Sequence, residues 1–357
     1  MDERAAMERA IGLAWRGWGR TQPNPMVGAV VVREGEPVAE GWHAEYGGPH
    51  AEVLALEAAA ERARGATLVV TLEPCRHHGK TPPCTEAIVR AGIARVVYAA
   101  DEVGPDARGG AQELRRGGLD VQGGLLAEQV RSQNAAFFHR HRAPGRPFVA
   151  LKLAMSLDGH IADHARHSRW VSGEPARAWV HWLRAGHDAI AVGVGTVRAD
   201  DPALTVRGET RPARPPLRVV FDRRAELPVT SRLVHTVSEG PVLVIAGSAA
   251  PERRITGLRQ AGLEVVVGDD WAAALAALAS RGVGSVLVEG GSVVATHLLA
   301  EELVDRLYVT IAPLMLGSGG VPAFAGLPDI PIAEAKRWRM AGRRALGDDT
   351  LLILDRP

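Results

Sequence analysis

Cysteine and lysine are close to absent from this chain. Its 357 residues include two cysteines, Cys75 and Cys84, which excludes a disulfide framework. In a reducing compartment such a pair points to metal binding or catalysis rather than to a lone disulfide. Lysine occurs only at Lys80, Lys152 and Lys336, so arginine supplies the other 39 of the 42 basic side chains. A large excess of either charge is missing too. The formal net charge is +1, which excludes a protein that works by neutralising nucleic-acid phosphates and favours a small or singly charged substrate. No segment approaches the run of about 18 apolar residues that a membrane span requires. The opening MDERAAMERAIGLAW carries charges where a secretory signal would have its apolar stretch, so the expected location is cytoplasmic with no membrane partner. Internal repeats and low-complexity tracts are absent, so the chain is not two copies of one module.

What is present suits two ordinary cores: 46% of residues are apolar and 23% charged. The first half reads as an opening amphipathic helix through Trp18, strands at Ala29–Arg33 and Val38–Trp42, and a helix from about His50. A strand at Leu68–Leu72, a helix after Cys84 and a strand at Arg95–Ala100 follow. The second half starts with the strand-like FVALKLAMSLDG and continues with apolar runs at Ala189–Val194, Leu217–Phe221, Val242–Ile245, Leu263–Val267 and Ser285–Val288, separated by helical patterns such as Trp271–Leu278. Both halves are expected to be α/β. The segment HRHRAPGRP, His139–Pro147, has the proline, glycine and charge of a linker. It sets the expected domains at 1–143 and 147–357.

His50-Ala51-Glu52 opens a helix after Gly47-Gly48-Pro49, and a later strand ends in Leu72-Glu73-Pro74-Cys75. H-x-E followed by P-C and a second cysteine is the pattern of zinc deaminases. One imidazole and two thiolates, from His50, Cys75 and Cys84, leave the fourth tetrahedral position open, and Glu52 is placed as an acid-base group rather than a ligand. The two cysteines are separated by RHHGKTPP where the general pattern has two residues. Thr81-Pro82-Pro83-Cys84-Thr85 reads as the start of a helix, so Cys84 still faces the metal while Arg76–Lys80 loops above the pocket. The bland alternative is a closed structural site, with His77 or His78 as fourth ligand and Glu52 an ordinary first-turn carboxylate.

Asn24, fixed between Pro23 and Pro25, is a rigid polar presenter. Retention of Lys80 and Lys152 in a chain that otherwise uses arginine suggests that a compact ammonium is needed at both positions. No G-x-G-x-x-G follows the strand at Val149–Leu153, so a Rossmann site is unsupported there. Val288-Glu289-Gly290-Gly291-Ser292 reads as strand, glycine pair and helix start, which suits a dinucleotide phosphate at a helix N-terminus.

Taken together, PNPMVGAVVV, HAE and TLEPCRHHGKTPPC resemble the deaminase half of the bifunctional deaminase/reductase family of riboflavin biosynthesis, and LKLAMSLDG, SRWVS, GTVRADDPALTVR, VEGG and APLMLG resemble its reductase half. The long loop between LEPC and TPPC is specific to that family among zinc deaminases, and the resemblance spans nearly the whole chain. It implies a cytidine-deaminase-like three-layer α/β/α domain followed by a dihydrofolate-reductase-like α/β domain. It also implies Zn2+ and NADPH as cofactors and a small phosphorylated pyrimidine as substrate. The reactions implied are hydrolytic removal of an amino group from a diaminopyrimidinone ribosyl phosphate, then reduction of its ribosyl group to ribityl. Glu52 would move the protons of the first step. Asn24 would hold the ring, with His77 and Lys80, alongside Arg76 and His78, serving the sugar phosphate. Residue by residue, the resemblance assigns Ala154, Trp170, Thr196 and Asp200 to the nucleotide, and it strengthens the reading of Gly290 and Gly291 as its phosphate cradle. It assigns Ser168, Arg184, Leu204, Arg207 and Glu289 to the substrate, with the two arginines chelating its phosphate, and Lys152 is placed with them on its lysine usage.

Two stretches depart from the family. Asp101-Glu102-Val103-Gly104-Pro105 stands where Asp-Pro-Asn-Pro is usual, and Arg223 stands where Ser is frequent. The rival readings are a tRNA or free-base deaminase, which would need a basic or aromatic face, and a non-catalytic zinc-stabilised protein that binds a pyrimidine or dinucleotide. Oligomeric state is not legible, and a homo-oligomer remains compatible with the sequence.

Overall fold

Each β-branched run of the first half becomes a strand. In the computed structural model, which describes residues 1–357, the chain divides into Met1–Arg142 and Ala143–Pro357. The first unit contains α1 (Glu3–Ala14), β1 (Gly28–Arg33), β2 (Glu36–Trp42), α2 (Ala51–Ala59), β3 (Thr67–Leu72), α3 (Cys84–Arg90), β4 (Arg95–Ala100), α4 (Gly110–Arg116), β5 (Asp120–Gln122), α5 (Ala127–Gln133) and α6 (Ala135–Arg142). Its sheet has the order β2-β1-β3-β4-β5, antiparallel through β1 and parallel from β3 to β5. α2, α3 and α4 pack in sequence with one another, while α5 is tied to α1 by the Gln133 side chain donating to the Ile11 carbonyl at 2.9 Å. The sheet lies between these layers as a three-layer α/β/α domain. Buried Val30, Val31, Leu68, Val69, Val96 and Val97 fill its core, because strands covered on both faces read as continuous apolar runs rather than alternating ones. α2 lies close against β2 at Gly41, where an added Cβ would stand 2.3 Å from the Ala51 carbonyl oxygen. That contact fixes the start of α2, and with it His50 and Glu52.

The second unit begins with β6 (Phe148–Ser156), β7 (His160–Ala162), α7 (Glu174–Ala185), β8 (Ala189–Gly193), α8 (Val194–Asp200), β9 (Leu217–Phe221), α9 (Arg232–His235), β10 (Val242–Ala246), α10 (Glu252–Gln260) and β11 (Glu264–Val267). It ends with α11 (Trp271–Ala279), β12 (Ser285–Glu289), α12 (Ser292–Ala300), β13 (Arg306–Ala312), β14 (Val321–Pro322), β15 (Arg339–Leu346) and β16 (Asp349–Asp355). Nine strands form one sheet in the order β11-β10-β9-β8-β12-β6-β13-β16-β15. It is parallel from β11 to β13 and antiparallel beyond. Alternate residues of each strand supply opposite faces. Ala189 and Ala191 join one core with Leu151 and Leu298, and Ile190 and Val192 join the other with Leu233 and Leu258. The architecture is the dihydrofolate-reductase-like α/β domain that the resemblance implies.

Half of the expected linker is not a linker. α6 runs through Arg142, so His139–Arg142 are helical and only the stretch from Ala143 connects the units. The positive charge that marked the segment sits in the last turn of this helix, where cations meet the negative end of the helix dipole.

Candidate functional site

Three ligand types converge in the first unit. His50 caps α2 with extended backbone (φ −75°, ψ 159°), Cys75 lies just beyond β3, and Cys84 is the first residue of α3. The Nδ1 atom of His50 lies 3.2 Å from Cys84 Sγ and 3.5 Å from Cys75 Sγ, and the three ligand atoms are mutually within 4.8 Å. With bonds of about 2.0 Å to nitrogen and 2.3 Å to sulfur, a tetrahedral zinc has N to S edges of about 3.5 Å, so the donor set fits zinc in both chemistry and spacing. Thr81 Oγ1 stands 3.4 Å from His50 Nε2 and steadies the ring from its other side. The Cys75 thiol is pulled down, first by the Cys84 thiol donating to it and then, against the cost of burial, by His50, which favours a thiolate ready for a cation.

No fourth protein ligand joins them. His78 is exposed and lies 3.3 Å from Glu86, and the metal-competent cluster contains only His50, Cys75 and Cys84. Glu52 is 4% exposed rather than a surface carboxylate, and burial pushes its pKa up.

A cavity of about 300 Å³ opens beside this cluster. Asn24, Glu52, His77 and Lys80 all line it, as expected from the sequence. Lys80 Nζ also sits 4.0 Å over the Tyr46 ring. Arg76 does not join them. Its Nε donates to the Arg108 carbonyl at 2.7 Å, so of the four polar residues expected in the loop between the cysteines, only His77 and Lys80 reach the cavity.

His43 was not anticipated. It is 2% exposed; its Nδ1 lies 3.0 Å from the Pro49 carbonyl, and its Nε2 lies 3.3 Å from Asn24 Nδ2. Burial lowers its pKa, so a neutral ring donates from Nδ1 to Pro49 and accepts from the Asn24 amide at Nε2. That orients the side-chain oxygen of Asn24. Glu102 also lines the cavity, with Oε1 accepting from the N–H groups of Val103 and Gly104 at 2.8 and 2.7 Å. Its loop is pinned by Glu73, which accepts from Glu102, Gly109 and Ala111. A lone histidine after a strand and a glutamate in a turn carry no spacing signal, and both become visible only once β2, α2 and the loop after β4 are folded.

The second unit holds a larger cavity, about 1450 Å³, at the carboxyl ends of its parallel strands, where open α/β sheets bind ligands. Lys152 and Glu289 are register partners on β6 and β12. Arg184, from the last turn of α7, pairs bidentately with Glu289, Nε to Oε1 at 2.5 Å and Nη2 to Oε2 at 2.8 Å, and donates Nη1 to the Thr205 carbonyl at 2.9 Å. The guanidinium is therefore already committed, and a phosphate clamp shared between Arg184 and Arg207 is not preformed; Arg207 alone is exposed. Burial pulls the Lys152 pKa down against the Glu289 charge. The Glu289 pKa is lowered despite burial by Arg184 and then Lys152.

Ser168 Oγ donates to Asp200 Oδ1 at 2.9 Å, which joins one residue expected on the substrate to one expected on the nucleotide. Trp170 is 66% exposed at the cavity, with the Arg177 guanidinium 4.4 Å from its ring centre. Leu204 has its side chain in the core and positive φ (52°), so it can offer only its backbone. Ala154 and Thr196 line the same cavity. Gly290 and Gly291 both have positive φ, 63° and 78°, and a Cβ on Gly291 would meet Thr196 Oγ1 at 3.0 Å. This leaves a side-chain-free cradle in front of α12 that fits a dinucleotide phosphate.

Comparison with known proteins agrees with both halves. Residues 147–352 match the family model described as RibD C-terminal domain, and residues 1–100 match the cytidine and deoxycytidylate deaminase zinc-binding region. Riboflavin biosynthesis protein RibD of Aquifex aeolicus is 39% identical over 98% of this chain and 97% of its own length, and that of Escherichia coli K12 is 39% identical over 99% of each. Among solved structures, Acinetobacter baumannii RibD superposes with a TM-score of 0.85 at 34% identity. A diaminohydroxyphosphoribosylaminopyrimidine deaminase/5-amino-6-(5-phosphoribosylamino)uracil reductase from Thermotoga maritima gives 0.85 at 36%. Both cover 99% of each chain.

Proposed function

This chain belongs to the RibD family of bifunctional riboflavin-biosynthesis enzymes, and from that premise we propose which of its residues carry each reaction. The protein is a zinc-dependent deaminase and an NADPH-dependent reductase in one chain. His50, Cys75 and Cys84 hold the zinc. Bound there, zinc supplies the acidity that makes water a nucleophile near neutral pH. Glu52 takes a proton from the attacking water and passes it to the ring nitrogen, then takes the proton of the hydroxyl added to the ring carbon and passes it to the amino group as its bond to that carbon breaks and ammonia leaves. Its raised pKa suits a group that must both accept and give up a proton. Asn24, oriented by His43, holds the pyrimidine edge, and His77 with Lys80 meets the phosphate of the ribosyl arm. The substrate is the phosphoribosylaminopyrimidine named for the Thermotoga relative.

In the second cavity NADPH supplies the hydride. Gly290 and Gly291 before α12 would hold its phosphates, with Ala154, Trp170, Thr196 and Asp200 along the nucleotide. The ribosyl group lies over Lys152 and Glu289, with Ser168, the Leu204 backbone and Arg207 at its periphery. Lys152, whose burial eases release of its proton, would protonate the ribosyl ring oxygen as the bond from that oxygen to the neighbouring carbon breaks and the carbon takes the hydride, and Glu289 accepts from the sugar hydroxyls. Arg184 holds Glu289 ionised and aimed. No helix is long and apolar enough to cross a membrane, and both thiols are free; these support a cytoplasmic enzyme acting on a small phosphorylated pyrimidine.

The observation that carries the deaminase reading is the burial of Glu52 beside three metal ligands with no fourth. A protein that only bound a pyrimidine would gain nothing from a desolvated carboxylate there. Glu52→Gln tests it. Ammonia release should fall by about 10²- to 10⁴-fold with zinc content unchanged, while NADPH oxidation on the deaminated substrate continues. Undiminished ammonia release would overturn the assignment.

A further inference from the structure

The backbone at Met26, just past Asn24 and Pro25, is held by a side chain 108 residues further on. Met26 is buried and belongs to no strand, since β1 starts at Gly28, yet both of its peptide groups are bonded to one residue. Asn134 Oδ1 accepts from the Met26 N–H at 2.8 Å, and Asn134 Nδ2 donates to the Met26 carbonyl at 3.0 Å. A primary amide can pair with the N–H and the C=O of a single residue as a neighbouring strand would, which neither a carboxylate nor an apolar side chain of that size can do. The carbonyl of Val27 accepts from the His43 N–H at 2.9 Å, so the approach to β1 is fixed residue by residue.

Asn134 is itself firmly placed. It is buried at the junction of α5 and α6. Its N–H donates to the Val130 carbonyl at 3.0 Å, and its carbonyl accepts from the Phe138 N–H at 3.1 Å. Further along α6, Phe137 and His141 share one face of the helix and line the zinc cavity, with ring centroids 5.0 Å apart, while Phe138 packs on the core. The Asn134 amide therefore joins two parts of the cavity lining, the α6 face and the segment that presents Asn24. Pro25 makes the second connection stiff, because its ring locks φ, and a shift of Met26 is passed on to Asn24.

We propose that Asn134 is a positioning residue for the deamination, its amide fixing Met26 and, through Pro25, setting where Asn24 meets the pyrimidine. His43 turns the Asn24 amide, and Asn134 places the backbone from which that amide extends. A misplacement of about 1 Å in a group that orients substrate can lower the rate by about 10²-fold with every reacting group still present. The inference rests on the reading of Asn24 as the residue that holds the ring.

The test is a double-mutant cycle on the full-length zinc-loaded enzyme. Ammonia release is the readout, with zinc content and NADPH oxidation on the deaminated substrate measured beside it. Asn134→Ala should lower deaminase kcat/KM by about 10- to 100-fold, with zinc content and reductase turnover unchanged. Asn24→Ala should cost at least as much, and the double variant should stay within about threefold of Asn24→Ala alone, because Asn134 acts only through Asn24. Losses that multiply in the double variant would make Asn134 a structural residue and overturn the proposal, as would full activity in Asn134→Ala. Pro25→Gly covers the case in which Asn134→Ala fails to fold. It leaves both Asn134 bonds in place and loosens only the link to Asn24, so it should lower kcat/KM with zinc retained, and full activity there would overturn the proposal. Full activity in Asn24→Ala would overturn the reading of Asn24 itself, and the proposal with it.

Discussion

Removing Arg184 while leaving Glu289 in place should destabilise the reductase unit more than its single salt bridge suggests. Both side chains are only 12% exposed, and the pair is bidentate, so Arg184→Met strands a largely desolvated carboxylate without its partner. Breaking one side of a buried pair costs about 3–5 kcal/mol, whereas replacing both by apolar groups of similar volume is often close to neutral. Lys152 remains nearby to offset part of the charge, which puts the expectation at about 3 kcal/mol. At about 2–4 °C per kcal/mol for a unit of this size, the transition should fall by roughly 10 °C. Scanning calorimetry can assign that transition, because NADPH should raise it and leave the deaminase transition alone. The double variant Arg184→Met/Glu289→Leu should recover most of the loss, although neither variant should retain reductase activity. A single variant within about 2 °C of the unmodified enzyme, or a double variant no better than the sum of the singles, would refute the account of Arg184 as the group that keeps Glu289 ionised.

Cys84→Ser should reduce bound zinc from about one per chain to a small fraction, read by atomic absorption, with deamination lost and NADPH oxidation on the deaminated substrate kept. His43→Ala should lower deaminase kcat/KM by about 10- to 100-fold at unchanged zinc content, since it frees Asn24 to rotate without touching a ligand; an unchanged kcat/KM would remove His43 from the site. His187 is buried, and burial, with the Arg306 charge second, holds its pKa down to about 3 against 6.5 in an open chain. Between those values the unfolded chain binds the proton and the folded one does not, so stability is full above pH 6.5 and is lost as the pH falls. From pH 7 to pH 5 the loss should be about 2 kcal/mol, measured by urea unfolding of the reductase transition. His187→Gln should flatten that slope, and an equal slope in the variant would assign the acid sensitivity elsewhere.

Legibility from sequence tracked how local the physics was. The zinc ligands were readable because only a few residue types bind zinc and each sits at a predictable place, a helix cap, a strand end and a helix start. Strands buried on both faces, such as β8 and β10, were readable as unbroken apolar runs. The strand β15 was not: RMAGRRAL alternates no apolar face, because it lies at the edge of the sheet with most of its residues exposed. The pairing of Arg184 with Glu289 spans 105 residues, and nothing near either residue announces it. Reading Arg184 as a phosphate ligand took no account of Glu289, which already holds two of its donors, or of the Thr205 carbonyl, which holds a third. Arg76 failed for a similar reason, since a backbone carbonyl 32 residues away claims it.

The loop between the cysteines shows how a metal site tolerates a change that its sequence pattern does not. Zinc responds to the end of β3 and the start of α3, and these are joined independently of the loop, because the Thr85 N–H donates to the Cys75 carbonyl at 3.2 Å. Closing eight residues instead of two costs only about 1 kcal/mol of additional chain entropy, so RHHGKTPP can vary for other reasons. What the added length provides is His77 and Lys80 at the cavity. Shortening RHHGKTPP to two residues should therefore leave zinc bound at about one per chain and the fold intact, while KM for the phosphorylated substrate rises by about 10- to 100-fold and that for the dephosphorylated analogue stays nearly constant. Loss of zinc in the shortened chain would show instead that the eight-residue spacing itself sets the ligand geometry. The separation of metal site from phosphate loop would then be wrong.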